Sequence, residues 1–510
     1  MKLQIRLNSI SNILETSILL CLSILPFGLA TLCSAVHFVN YGKYGLSSVV
    51  VLLSFLIVSF LILRACSCKL DTKSIIVILF FITICIRFSS LLFFNTKPTS
   101  DFMRAVNGAM EFATGPTESL YSARFPYWGF YRITLGFIFR LFHSTLRTAK
   151  IANVIFSGVT AVGIFLLGNK LLNSKKFGVL SAFIYICNPA NILYINLTTG
   201  EHIFVMLFPF VCILFLTIFE NLKDRTAIKY ILSMLAGIIL GLMDMYKPVA
   251  IIVLISFIIT LFISEILSSH SSLDTGKHKI IVIATIIISM LLSYQVTKNI
   301  CYSIVEYKST YQPNQYGYGW TLRIGLDREL NGRVNKPIQD YMYNLYAESN
   351  ENYKLVNSYL IHESLNLIKG KSLLALLDFF KDKFYYTWSS NEEFYFWATA
   401  EQVENGLINY DADRLGLFVK PLSDSYYIFS LFLSSIGTLS IIKREKSRGI
   451  LTIGLFILGF TLLLSFTEVQ QRYRSVLASS MPFFAAYGVI TICRGVKLIE
   501  KFVNRRKSAS

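Results

Sequence analysis

The sequence predicts an all-α polytopic membrane protein with about twelve transmembrane helices. Three observations predict it. Of 510 residues, 54% are hydrophobic and only 15% charged, and the mean hydropathy is +0.56, outside the range of soluble domains. Apolar runs close to the roughly 20 residues needed to cross a bilayer recur along the chain. Lysine and arginine gather in alternate connections between those runs, as they do in cytoplasmic loops.

The runs at 13–36 and 46–63 form an additional hairpin within 1–73, ahead of a third run at 75–94. The first is too long for a signal-peptide core and lacks a small-residue cleavage site, so it is expected to remain as an anchor. A polar outward segment follows at 95–150. It contains amphipathic stretches at 102–114 and 128–142, the second interleaving Phe, Leu and Ile with Arg132 and Arg140, and both are expected to lie on the membrane surface. Runs at 151–168, 177–195, 203–219, 230–243, 249–266 and 280–294 complete a transmembrane core over 74–296. The segment 297–424 is large enough for an extracytoplasmic cap, and the spacing of Tyr, Leu and Ile over 338–380 makes it mostly helical. Runs at 426–442, 451–466 and 476–493 close the bundle within 425–494, and 495–510 is a basic tail. No internal repeat or low-complexity tract is visible.

Lys2 and Arg6, then Arg64, Lys69 and Lys73, then Lys170, Lys175 and Lys176, then Lys223, Arg225 and Lys229, then Lys277 and Lys279 fall on one side. Lys443, Arg444, Lys446, Arg448 and the tail from Arg494 continue the series, which places both termini in the cytoplasm. Much of the net charge of +18 thereby reports topology and contact with anionic headgroups, not a nucleic-acid arm. Of nine cysteines most lie within apolar runs, Cys66 and Cys68 sit at the cytoplasmic edge, and Cys301 is the outward candidate. No disulfide framework and no metal-ligand spacing emerges, so no cofactor is expected and a divalent metal is not indicated.

The informative charges are those that topology does not explain. Asp101, in Ser100-Asp101-Phe102, follows the third run at its outward exit. There a carboxylate can act as general base on a hydroxyl arriving from outside, or be an ordinary solvated loop aspartate. Glu201 stands at the next outward turn, beside His202, where it either joins that work or caps the following helix. Arg87 lies inside the third run. Lys247, Arg472 and Arg474 occupy outward positions, where they bind a lipid phosphate or snorkel to their headgroup layer. The aromatic residues over 307–320 and Tyr385, Tyr386 and Trp388 either stack on sugar faces or form the interfacial belt. Arg104, Tyr127, His202 and Trp388 complete the expected substrate cavity.

Taken in order, these landmarks resemble the bacterial polyprenyl-phosphate-dependent membrane glycosyltransferases of the GT-C superfamily. The likeness is to the protein O-mannosyltransferase and aminoarabinose-transferase-like branch, glycosyltransferase family 39. The landmarks are Ser100-Asp101-Phe102 with Ala105, Ala109 and Gly115, then Phe125-Pro126-Tyr127, Asn188-Pro189, Glu201, the stretch 325–335, and Gln471-Arg472-Tyr473 before the final helix. The chain departs from the family in its amino-terminal hairpin and in a single Asp101 where the eukaryotic mannosyltransferases place an adjacent acidic pair. The resemblance implies a GT-C-type bundle in which Asp101 is the catalytic base and Glu201 a second acidic group. Lys247 and Arg472, and more weakly Arg474, would bind the lipid phosphate, with Arg87 as a buttress from below. It implies transfer of a sugar from an undecaprenyl-phosphate-type donor to an extracytoplasmic hydroxyl on a glycan, lipid or protein, with inversion. An O-antigen-type polymerase or ligase using a lipid diphosphate, and a lipid-sugar flippase or other transporter, are the alternative readings.

Overall fold

In the computed structural model, residues 2–507 are described except 41–69, 95, 118, 120, 123–124, 223–226, 268–272, 310–316, 351, 408–412 and 445–446. The expected run at 46–63, and with it half of the amino-terminal hairpin, lies outside the described residues. The described chain is helical, with no strand.

α1 (Lys2–Leu22) and α2 (Ala30–Asn40) join through a π turn at Ser23–Leu29. That turn absorbs Pro26, which has no N–H for an ordinary helical bond. α3 (Thr72–Phe93) starts where Asp71 accepts the Ser74 amide at 3.1 Å. The two amphipathic stretches become α4 (Ser100–Thr114) and α5 (Pro126–Leu141). α6 (Leu146–Leu172) and α7 (Lys175–Ile186) follow. The run expected to cross as one helix over 177–195 is broken: Pro189 ends α7 and opens the short α8 (Pro189–Tyr194), capped by Asn188. The break leaves the last carbonyls of α7 without helical partners. Arg87, fully buried in α3, supplies donors: Nη1 to Ile186 O at 2.8 Å, Nη2 to Tyr185 O at 3.1 Å, and Nε to Ser157 Oγ at 3.1 Å.

α9 (Glu201–Glu220), α10 (Ile228–Tyr246) and α11 (Ala250–Leu261) continue the bundle. α12 (Leu273–Ser309) is a single helix of 37 residues, and here the sequence reading needs correction. Positions 297–309, expected to open the cap, contain no glycine or proline and prolong the helix, carrying Lys298 and Cys301 on it; Cys301 is buried. The cap proper holds α13 (Gly317–Gly325), α14 (Lys336–Glu348), α15 (Tyr353–Ile368), α16 (Leu373–Trp388) and α17 (Glu392–Glu404). α18 (Arg414–Arg444), α19 (Arg448–Phe466), a 3₁₀ turn at Gln471–Leu477 and α20 (Pro482–Lys507) finish the chain. Among the described residues nine helices are long and apolar enough to cross a membrane, ten if the bent Gln471–Gly495 pair counts as one. This is fewer than the twelve expected, because one run is undescribed and another is broken.

Small residues let these helices approach closely, the packing currency where lipid offers no hydrophobic contrast. A Cβ on Gly168 would lie 2.8 Å from Gly178 Cα, and one on Gly241 would lie 2.8 Å from Tyr294 O. These contacts lock α6 to α7 and α10 to α12. The second contact sets Lys298 of α12 against α10.

Candidate functional site

The site forms where several helix ends meet. Residue 94 ends α3, Glu201 begins α9, Lys247 caps α10, and residues 467–474 run between α19 and α20. All lie at the same end of the bundle, opposite the Lys170–Glu220 and Lys279–Glu265 ion pairs.

Ser100 has a φ of 53°, a left-handed conformation that costs a non-glycine residue about 1–3 kcal/mol, and it starts α4 so that Asp101 sits in the first turn. The helix dipole favours a carboxylate there. Asp101 Oδ1 accepts the Tyr121 hydroxyl at 2.9 Å and Arg104 Nη1 at 3.3 Å, leaving Oδ2 open on a side chain that is 37% exposed. Burial, and then the Asp101 charge, hold the Tyr121 hydroxyl well above its ordinary pKa, so Tyr121 remains a donor. Arg104 is exposed, pairs with Asp101 and lies over the Tyr121 ring at 5.6 Å, while Arg132 stacks on the same ring at 4.6 Å.

Glu201 is 3% exposed and has every reason to stay charged. It accepts Lys247 Nζ at 2.5 Å, Ser475 Oγ at 2.7 Å and the Tyr194 hydroxyl. The expected second acid therefore lies behind Lys247, where it holds the ammonium in place. Lys247 is also over the Tyr473 ring at 4.5 Å. Arg472 is boxed by Phe102, Trp397 and Tyr473 at 4.8, 5.2 and 5.2 Å, with Nε on Gln470 at 2.5 Å. Tyr127 lies among these charges: burial first, then Asp101, Glu468 and Glu201, push its hydroxyl up, against Arg472.

Lys247, Tyr127 and Tyr473 line a cavity of ≈ 360 Å³. One wall is apolar, built from Val249, Ile251 and Ile252 of the α11 approach and Phe460, Leu463 and Leu464 of α19. The roof is α13, held down by a backbone bond from Glu468 N to Thr321 O, and the loop after it is held by one from Val469 N to Gly332 O, both 2.9 Å. Buried Lys383 adds bonds to Gly325 O at 2.5 Å and Ser465 O at 3.0 Å. Gly325 is required at that clamp, since any side chain would collide with Phe466 O and the Thr467 backbone.

Two lining residues were not singled out in the sequence. Glu468 accepts Tyr473 OH at 2.8 Å and Gln470 Nε2 at 2.9 Å. Lys298 pairs with Asp244 at 2.7 Å, and Tyr294 donates to the same carboxylate oxygen at 2.9 Å. The spacing of Tyr294, Lys298 and Tyr302 on one helix face was the available signal.

Of the nine expected residues, Lys247 and Tyr127 line this cavity, Asp101, Arg104, Glu201 and Arg472 stand outside its lining, and the remaining three are turned elsewhere. Arg474 turns away from the cavity, donating to Ser390 O, to Asn391 Oδ1 at 3.1 Å and to Gln471 O at 3.1 Å. Trp388 is buried beneath it at 5.7 Å and packs on Phe384. His202 is tied through Nε2 to Leu197 O at 3.0 Å and lies tilted against the Tyr194 ring. Among the described residues no three His, Cys, Asp or Glu side chains gather as a metal group.

The family model described as dolichyl-phosphate-mannose-protein mannosyltransferase matches residues 126–294. The resemblance to membrane glycosyltransferases seen in the sequence is borne out over that stretch, which carries Tyr127, Glu201 and Lys247. No curated protein matches the chain. Solved structures of the oligosaccharyltransferase AglB from Archaeoglobus fulgidus are similar at 12% identity. One, in complex with an inhibitory peptide and a dolichol-phosphate, has a TM-score of 0.45 over 85% of this chain and 52% of that one. The apo form gives 0.46 over 86% and 52%. The chain thus spans about half the length of the solved structures it matches.

Proposed function

We propose that the protein is a membrane glycosyltransferase that takes a sugar from a polyprenyl-phosphate donor and passes it to a hydroxyl on an extracytoplasmic glycan, lipid or protein. The observation that carries this reading is a cavity with an apolar wall at one side and Lys247, Tyr473 and Tyr127 at the other, Tyr127 lying within the electrostatic reach of Asp101 and Arg472. An isoprenoid tail suits the wall of Ile251, Ile252, Leu463 and Leu464. The phosphate suits the ammonium of Lys247, which has donors beyond the one spent on Glu201, and the caged guanidinium of Arg472.

In this mechanism Asp101 Oδ2 takes the proton of the acceptor hydroxyl. The acceptor oxygen bonds to the anomeric carbon from the face opposite the phosphate, and the carbon–oxygen bond to phosphate breaks with its electron pair on the phosphate oxygen. The product is inverted and free polyprenyl phosphate remains. Lys247 and Arg472 stabilise the charge that grows on the leaving phosphate, the part of the reaction where fixed charges contribute most. Tyr121 holds Asp101, and Glu201 holds Lys247. The charge alternation of the connecting loops supports an outward-facing site with cytoplasmic termini.

Purified protein offered sugar-linked polyprenyl monophosphate and diphosphate separates the readings. Release of polyprenyl phosphate from the monophosphate donor, dependent on an acceptor, is the expected result. Turnover only with the diphosphate would favour a polymerase or ligase, and binding without release would favour a transporter.

A further inference from the structure

We infer that a second cavity, across the Gln471–Leu477 turn from the first, is a binding site for a small monovalent inorganic anion of about chloride size. The cavity holds ≈ 50 Å³; half of its lining is apolar, and its polar side is built by Asn188, Asn191, Asn391, Tyr427, Ser430 and Arg474 with Ser475. Arg474 is 5% exposed. Its Nε and Nη2 are spent on Gln471, Ser390 and Asn391, but buried Nη1 has no hydrogen-bond partner. The same holds for Asn191 Nδ2 and Ser430 Oγ, while the Tyr427 hydroxyl interacts with the guanidinium, which lies over its ring at 4.3 Å. Unmade bonds of this kind are rare in buried positions and call for an occupant.

The chemistry of the lining selects the occupant. A guanidinium and an amide nitrogen only donate, and a hydroxyl can turn to donate. The nearby acceptors are already used: Asn188 Oδ1 takes the Ala190 amide at 3.0 Å, Asn391 Oδ1 takes Arg474, and so does Ser390 O. Asp424 is the neighbouring acid and feels the Arg474 charge, but among the described residues it makes no hydrogen bond to the guanidinium, and its Oδ1 accepts the Asn391 backbone N–H at 2.6 Å. The Ser430 and Tyr427 hydroxyls accept as well as donate, so water can also be held here, but an anion in addition offsets the charge of the buried guanidinium. The volume exceeds the roughly 10–15 Å³ that one water needs. Ser475 lines this cavity and also the small one beside Glu201, to which its Oγ donates. A bound anion therefore fixes the turn from which Arg472 and Ser475 project.

The test uses the full-length protein purified without halide, in gluconate at constant ionic strength, with bromide or chloride then titrated in. Bromide should give an anomalous diffraction peak between Arg474 and Asn191. The melting temperature should rise saturably by a few degrees, as for any ligand bound only by the folded state. Arg474→Met should lose the response. Because that variant removes structural bonds and can fail to fold, Asn191→Leu is the second arm: it fills the cavity, leaves the other Arg474 contacts in place, and should fold but no longer respond. Melting curves that superimpose in bromide and gluconate, ordered waters with no bromide peak, or an undiminished response in Asn191→Leu would each overturn the assignment. None of these readouts depends on the glycosyl-transfer reading.

Discussion

Replacing Lys247 with methionine, alone and together with Glu201→Gln, separates what this lysine does for the fold from what it does for the reaction. Glu201 is 3% exposed and Lys247 18%, with 2.5 Å between the charges. Removing one partner of such a pair leaves the other uncompensated, at about 3–5 kcal/mol. Lys247→Met strands the Glu201 carboxylate on two hydroxyls, so the variant should melt well below the parent protein. Glu201→Gln in the same chain removes the stranded charge, and the double variant should recover most of the loss, giving a coupling of about 3 kcal/mol in a double-mutant cycle. Turnover should behave differently. If Lys247 stabilises the departing phosphate, losing that charge costs about 2.7–4 kcal/mol in the transition state, or roughly 10²–10³ in rate. The double variant should remain that slow while melting normally. Thermal melts in detergent and initial rates of polyprenyl-phosphate release measure the two effects. Turnover that recovers with stability in the double variant would refute the phosphate role and leave the pair purely structural.

Asp101→Asn should lower transfer by about 10²–10⁴ with donor binding and melting temperature nearly unchanged, read by single-turnover kinetics and a lipid-binding assay. Tyr121→Phe removes one of the two bonds that aim the same carboxylate and should lower kcat more than it changes KM. Leu463→Trp fills the apolar wall and should raise KM for long-chain donors while sparing short-chain analogues, measured with donors of graded isoprenoid length. Burial of Lys383 pushes its pKa from 10.5 down to about 7. Between those values the unfolded chain holds a proton that the folded chain has released, so stability should rise with pH from 7 to 10.5, by up to about 1.4 kcal/mol per pH unit. Melts across that range should show the rise in the parent protein and lose it in Lys383→Met.

The bundle was legible in the sequence because crossing a bilayer demands long apolar runs, and because charge sidedness is written in loops close to them. The amphipathic segments became α4 and α5 nearly as expected for the same reason: their periodicity is local. What stayed hidden depends on contacts between distant segments. Nothing in the order of residues shows that Tyr121 reaches back to Asp101, or that Arg87 satisfies carbonyls freed a hundred positions later by Pro189. Lys298 was missed for a different reason: polarity was taken to end the helix at 294, although no residue through 309 breaks one. Membrane helices often project past the apolar layer, and only Gly, Pro or a cap would have marked a stop.

The two arginines near the last helix show how local geometry decides between alternatives that residue type leaves open. Arg472 and Arg474 look equivalent in Gln471-Arg472-Tyr473-Arg474, and both were grouped as phosphate ligands. The segment folds as a 3₁₀ turn, in which three residues complete a revolution and side chains eclipse only at i and i+3. Positions two apart therefore point in different directions. Arg472 and Tyr473 face Phe102, Trp397 and Lys247, whereas Arg474 faces Asn391 and Tyr427 inside the bundle. One short turn thus serves two cavities, and Ser475, which touches Glu201, stands between them. Had the same residues continued an α-helix, the two directions would have diverged by about 160° instead of about 120°, farther still from one shared phosphate. Backbone direction begins the divergence, and the hydrogen bonds of Arg474 to Gln471, Ser390 and Asn391 complete it.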